Sequence, residues 1–168
     1  SALIRHSEDA GWQAMLRELA GALRSSMPGD APVGLIHGDF QPGNILFADG
    51  AISGIIDWDL VAIGPQGMDI GWYLMMADAG NWDAAWRPVG PAPRAAIIAA
   101  YADARGPALA DFGWHQAFAQ FRLGAIAGLN LKLHRNGRRP DPVWERFALS
   151  VPVLLRTAFD LLGRRHTA

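Results

Sequence analysis

The sequence predicts a mostly helical α+β domain in which a small β-hairpin carries the chemistry. Three observations predict it. Apolar residues recur at helical spacing before residue 27 and again through residues 67–163. Between these stretches lie three short apolar runs, residues 33–36, 45–47 and 52–56, set among Gly- and Pro-rich turns. Asp49-Gly50 separates the last two runs, and Asp-Gly is a strong hairpin signal.

Residues 7–26 read as the first helix. Ser7 can cap it, and Glu8 and Asp9 favour its positive end. Trp12, Met15, Leu16, Leu19 and Leu23 form one buried stripe. Met27-Pro28-Gly29-Asp30-Ala31-Pro32 breaks the helix. Residues 33–36 then deliver His37 to a loop, and residues 45–47 and 52–56 make the hairpin, which ends at Asp57.

Past residue 66 the pattern turns helical. Residues 68–79 are nearly all apolar, as in a central buried helix. Residues 80–93 form a loop with Trp82, Trp86, Pro88, Gly90 and Pro91; Pro93 opens a helix through Ala104. Asp111 can cap a long helix reaching His134, which Asn136-Gly137 stops. Residues 142–162 form the last helix, with a kink expected at Pro152.

Composition narrows the function. The chain has 168 residues and 51% hydrophobic content, enough for one domain with a substantial core. Only 18% of residues are charged, which leaves part of the surface apolar and suited to a partner. A net charge of −1 gives no electrostatic case for nucleic acid or an anionic membrane. Cysteine is absent, so disulfides, thiol catalysis and Cys-based zinc sites are excluded. No signal peptide and no stretch of roughly 20 apolar residues is visible, so the expectation is a cytoplasmic protein.

The stretch His37-Gly38-Asp39-Phe40-Gln41-Pro42-Gly43-Asn44-Ile45-Leu46 holds the chemistry. Asp39 and Asn44 sit five positions apart on one loop, and Asp57 follows 13 residues later at the end of a strand. Phosphoryl transfer needs an aligned hydroxyl and neutralised phosphate charge. A carboxylate such as Asp39 can orient the hydroxyl and accept its proton. Asn44 and Asp57 offer the hard oxygen donors that Mg²⁺ prefers. His37 is read as structural, packed under the loop and bonded to backbone. Asp59 stands open between a metal or substrate-amine role and a strand-end backbone bond. Asp69 is read as a cap or brace of the catalytic loop. Trp58 and Trp72 are expected in the core beside the site. Trp82 and Trp86 could line a pocket or pack at the core edge. Arg135, Arg138 and Arg139 form a basic cluster past a helix end, a place that favours such charges anyway.

His-Gly-Asp-x-x-x-x-Asn followed by Ile-Asp-Trp-Asp resembles the aminoglycoside phosphotransferase and choline kinase-like family. The Asp39–Asn44 offset also matches the catalytic loop of protein kinases. The resemblance implies the C-terminal lobe of a protein-kinase-like fold, with Asp39 as the catalytic aspartate. It also implies that Asn44 and Asp57 bind the metal ions on ATP. Gly64-Pro65-Gln66-Gly67-Met68-Asp69-Ile70-Gly71 resembles the family's next block, without the acidic residue usual near its start. Residues 118–128 resemble the broad bacterial branch.

The resulting expectation is one domain over residues 1–168, with the catalytic loop at 37–44, a metal-binding strand end at 55–59 and a helical remainder at 67–163. Its function would be ATP- and Mg²⁺-dependent phosphorylation of a hydroxyl on a small molecule. A Gly-rich phosphate loop and a strand Lys are missing: the single lysine is Lys132, and only 38 residues precede Asp39. The nucleotide lobe is therefore expected to be absent, the chain inactive alone, and the uncovered face a route to homo-oligomers. The rival expectations are a non-catalytic binding or dimerisation module and a Mg²⁺-dependent phosphohydrolase.

Overall fold

A computed structural model describes residues 9–83, 92–105 and 111–163. The chain order is α1 (Ala10–Ser25), β1 (Val33–Ile36), β2 (Ile45–Ala48), β3 (Ala51–Ile55), β4 (Ala62–Pro65), α2 (Gly67–Ala77), α3 (Arg94–Arg105), α4 (Phe112–Arg135) and α5 (Val143–Leu161). Short 3₁₀ turns occur at Pro42–Asn44 and Ala79–Asn81.

Helix α1 begins later than its composition suggests. Asp9 is the cap: its carboxylate accepts the Trp12 N–H at 2.9 Å. Ser7 and Glu8 lie outside the described residues, as do Trp86, Pro88, Gly90 and Pro91. The stripe of Leu16, Leu19 and Leu23 is fully buried against Ala117 and Ala125 of α4 and Val151, Leu155 and Phe159 of α5. Burying each such leucine is worth about 1.5–3 kcal/mol. Asp111 precedes α4 but does not cap it; its backbone is left-handed at φ 62° and its side chain bonds no N–H of the first turn. Pro152 lies inside an otherwise continuous α5.

The β-structure forms two antiparallel pairs rather than one hairpin. Strands β2 and β3 make the expected hairpin, with Asp49 at φ 51° and Gly50 at φ 78°, the two positive values that a tight primed turn needs. Strand β4, unforeseen from its Gly-Pro composition, pairs with β1 so that Leu35 faces Ile63. This pairing brings the chain back beside the loop that follows β1, just ahead of α2.

Helix α4 is the hub, touching α1, α2 and α5. Helix α3 covers the outer side of α2, with Ile97, Ile98 and Tyr101 against Ile70 and Leu74. The α2–α4 contact is close enough that His115 of α4 lies directly over Gly67 and Gly71 of α2. Its ring is buried, and neither ring nitrogen has a hydrogen-bond partner. Desolvation therefore draws the His115 pKa below its ordinary value of 6.5, against a smaller opposing pull from Asp111. The neutral ring is the one the fold accommodates, so the unfolded chain takes up its proton first. Stability is full above about pH 6.5 and falls below it as the unfolded His charges, by at most about 1.4 kcal/mol per pH unit for this one group. Thermal midpoints measured between pH 8 and 5 should drop on the acid side. The decline should be shallower in His115→Gln; identical pH profiles for the two proteins would contradict this account.

Candidate active site

The loop after β1 is set by the backbone shape at Gly38 and by bonds that its N–H groups make to Asp69. Gly38 has φ 84°, and a Cβ there would lie 2.4 Å from the Leu60 carbonyl oxygen, so no other residue fits. Asp69, in the first turn of α2, accepts the His37 N–H at 2.7 Å and the Gly38 N–H at 2.9 Å with its two carboxylate oxygens. The carboxylate thus braces the loop in place, the role read for it from the sequence.

His37 ties the loop to the hairpin. The Asp39 N–H donates to Nδ1 at 3.3 Å, which leaves Nε2 to carry the proton and donate to the Ile56 carbonyl at 2.8 Å. The ring is buried and packs 4.5 Å from the Trp58 ring. Its place is structural, under the loop and on its backbone.

Asp39 and Asn44 are brought into direct contact. The Asn44 side-chain amide donates to the Asp39 carbonyl at 2.9 Å and to Asp39 Oδ2 at 3.1 Å; Gln41 Nε2 donates to the same Oδ2 at 2.9 Å. Asp39 Oδ1 and Asn44 Oδ1 accept no hydrogen bond among the described residues. One is a carboxylate oxygen able to receive a proton, and the other is a neutral hard donor.

Asp57 is joined to this pair through the backbone. The Ile56 N–H donates to the Asn44 carbonyl at 3.0 Å, and Asp57 follows with a left-handed φ of 64° and an exposed side chain. Its carboxylate makes no hydrogen bond to Asp39 or Asn44. An amide oxygen and one carboxylate on adjacent backbone suit Mg²⁺, which keeps several waters and takes further ligands from phosphates. Among the described residues, no three His, Cys, Asp or Glu side chains cluster to hold a metal on their own. Asp59 is exposed and makes no side-chain hydrogen bond, so the backbone-bonded alternative for it is not what the structure holds.

Other sequence candidates resolve plainly. Trp72 is buried as expected, but Trp58 is 41% exposed and bonds the Ile55 carbonyl rather than sitting in the core. Trp82 is core, with its indole N–H on the Met76 carbonyl. Arg135 makes a two-pronged pair with Glu145 at 2.7 and 2.8 Å, and that bond draws the Glu145 pKa below its ordinary value. Arg138 and Arg139 are exposed.

Sequence reasoning missed Arg122. Its Nη1 donates to the Gly38 carbonyl at 2.7 Å, and its Cζ lies 4.7 Å from the Trp72 ring centroid. The signal was a lone cation inside the apolar run Phe121-Arg122-Leu123-Gly124-Ala125.

The sequence pattern of the phosphotransferase enzyme family, APH, matches residues 2–118. The chain belongs to that family. The match takes in the whole catalytic loop, the hairpin and α2. A Ralstonia eutropha protein assigned as an aminoglycoside phosphotransferase has the same fold at a TM-score of 0.75, with 17% identity over 92% of this chain and 50% of its own. Homoserine kinase from Gluconacetobacter diazotrophicus is 40% identical over 62 residues, which is 34% of this chain and 19% of the kinase. Homoserine kinase from Rhodospirillum rubrum is 42% identical over 48 residues, 29% of this chain and 15% of the kinase. A probable acyl-CoA dehydrogenase, IBR3, from Arabidopsis thaliana is 38% identical over 64 residues, 34% of this chain but 8% of that protein. The chain thus spans half of its solved neighbour and under a fifth of each of these relatives. Among the described residues, no helix is long and apolar enough to cross a membrane.

Proposed function

We propose that the chain is the catalytic-loop and acceptor-binding lobe of an ATP-dependent small-molecule kinase. The observation that carries this reading is the Asp39–Asn44 contact, which leaves one oxygen of each side chain open on the same loop. Asp39 is the carboxylate that aligns the acceptor hydroxyl and takes its proton as phosphorus–oxygen bond formation proceeds. Asn44 and Asp57 are the side chains that would hold Mg²⁺, which when bound neutralises charge on the nucleotide phosphates. Asp69 and His37 keep the loop and the hairpin end in fixed relation, so that the proton acceptor and the metal donors stay in register.

This reading leaves the remaining nucleotide contacts to polypeptide outside these 168 residues, since the sequence holds no Gly-rich phosphate loop with a strand lysine. A protein that includes this chain and that missing part should release ADP when offered hydroxyl-bearing metabolites or aminoglycosides. The 168-residue chain should not. Phosphate release from a phosphate ester without ATP would point instead to a hydrolase.

The same reading accounts for an apolar surface. Val33, Leu35 and Ile63 of the β1–β4 pair and Phe47 and Ile52 of the β2–β3 pair are all more than half exposed. Chain concentrated in solution should self-associate through these strands. Light scattering across a concentration series should show mass rising above the monomer, and a constant monomer mass would count against it.

A further inference from the structure

Arg122 is a charged side chain bonded to the loop that the kinase reading leaves without a task. Its guanidinium is fixed in plane by two contacts, the 2.7 Å bond to the Gly38 carbonyl and the Trp72 ring beneath it. Of the five N–H donors of an arginine, that bond uses one. No carboxylate pairs with it. Asp39 Oδ2 is taken by Gln41 and Asn44, and both oxygens of Asp69 are taken by loop N–H groups. Among the described residues, Arg122 has no other hydrogen bond and no ion pair. Burial draws its pKa below the ordinary value, opposed by the charges of Asp39 and Asp69 at longer range. A half-buried cation with no contact counter-ion is costly to keep unless something anionic completes it. A planar fork with unspent donors suits one kind of group, an oxyanion.

We infer that Arg122 is an oxyanion-binding residue of the acceptor site, and that the molecule phosphorylated here carries a carboxylate or phosphate near the hydroxyl it presents to Asp39. The inference rests on the kinase reading above and deepens it by naming the acceptor class. The anchoring bond goes to the residue directly before Asp39, so the fork is held beside the loop that carries the Asp39 carboxylate. A polycationic acceptor would meet the guanidinium with like charge in a partly dry site, an arrangement that is disfavoured. The same chemistry has a second source, the phosphoryl group being transferred.

The test needs binding only. The Arg122 Nε–H signal, assigned by its loss in Arg122→Lys, is followed in ¹H–¹⁵N spectra of the chain. The probes are 4-hydroxybutanoate, its neutral counterpart butane-1,4-diol, and inorganic phosphate. Expected is a saturable shift with 4-hydroxybutanoate and none with the diol. Affinity for 4-hydroxybutanoate, read from backbone signals of the loop, should fall about tenfold or more in Arg122→Met and be partly restored in Arg122→Lys. Saturation by phosphate with no response to the hydroxycarboxylate overturns the acceptor assignment and gives the fork to the transferred group. No saturable response to either anion overturns the proposal, and so does a response that survives in Arg122→Met, since Arg122 would then only brace Gly38. If Arg122→Met fails to fold, the titrations of the native chain and of Arg122→Lys still decide. Failure here leaves the kinase reading standing. Failure of ADP release in the longer protein leaves the anion result standing.

Discussion

Replacing Asp39 with Asn, in a protein that joins this chain to its nucleotide-holding part, is expected to lower turnover by about 10²–10⁴-fold, the range carried by a positioned general base. Nucleotide affinity should stay nearly unchanged, because the metal donors assigned to Asn44 and Asp57 are untouched. The substitution is close to isosteric, so the argument turns on hydrogen-bond polarity. In the native loop, Oδ2 of Asp39 accepts from Gln41 and Asn44. An Asn at this position must aim its carbonyl oxygen at those two donors. Its NH₂ then occupies the place of Oδ1 and points a donor at the acceptor hydroxyl, which needs an acceptor. The reverse orientation sets NH₂ against two N–H groups and loses both bonds, at a cost of about 1–3 kcal/mol each. Either way the proton has nowhere to go. Turnover of Asp39→Asn within tenfold of wild type would remove Asp39 from the reaction.

What the sequence disclosed and what it hid follow from distance along the chain. The contact between Asp39 and Asn44 was legible because both lie on one loop, and the chemistry proposed for them calls for those residue types at that spacing. Asp57 was legible because a short hairpin with Asp49-Gly50 at its tip returns the chain to its starting end. The brace from Asp69 was only half visible, since its partners stand 31 and 32 residues earlier and nothing local marks the pairing. Arg122 was marked only as a lone cation in an apolar run, and its partner was hidden: Gly38 is 84 positions away, and helix α4 reaches it only through packing on α2. Strand β4 was missed for a different reason. Ala62-Ile63-Gly64-Pro65 has the composition of a turn, and only the pairing with β1 makes it a strand. Trp58 misled because aromatic bulk suggests burial. Instead, the ring leans on His37 and bonds the Ile55 carbonyl while 41% of the residue stays in solvent. The helices, by contrast, were legible from periodicity, with ends within a few residues of those expected and α1 starting at the Asp9 cap.

The second large effect concerns the seam that makes Arg122 and Gly38 neighbours. Gly71→Ala is expected to destabilise the fold by about 3 kcal/mol, the top of the usual range for overpacking a close contact. A Cβ at residue 71 would lie 2.4 Å from the His115 carbonyl oxygen and 2.5 Å from its carbon. Those are backbone atoms of α4, so no rotamer change relieves the clash; α2 and α4 must separate. Separation pulls Trp72 from beneath Arg122 and shifts Asp69, on the same helix, against the loop it braces. For a domain of this size the midpoint of thermal unfolding should fall by roughly 6–12 °C. Gly21→Ala makes the same chemical change in α1, where nothing lies within 4 Å of the added carbon. There the methyl group only restricts the unfolded chain and favours helix, so about 0.5–1 kcal/mol of added stability is expected. Opposite signs from one substitution type would locate the effect in the α2–α4 contact rather than in helix propensity. A neutral Gly71→Ala would mean that the two helices do not approach as closely as described, and the bond from Arg122 to Gly38 would lose its support with them.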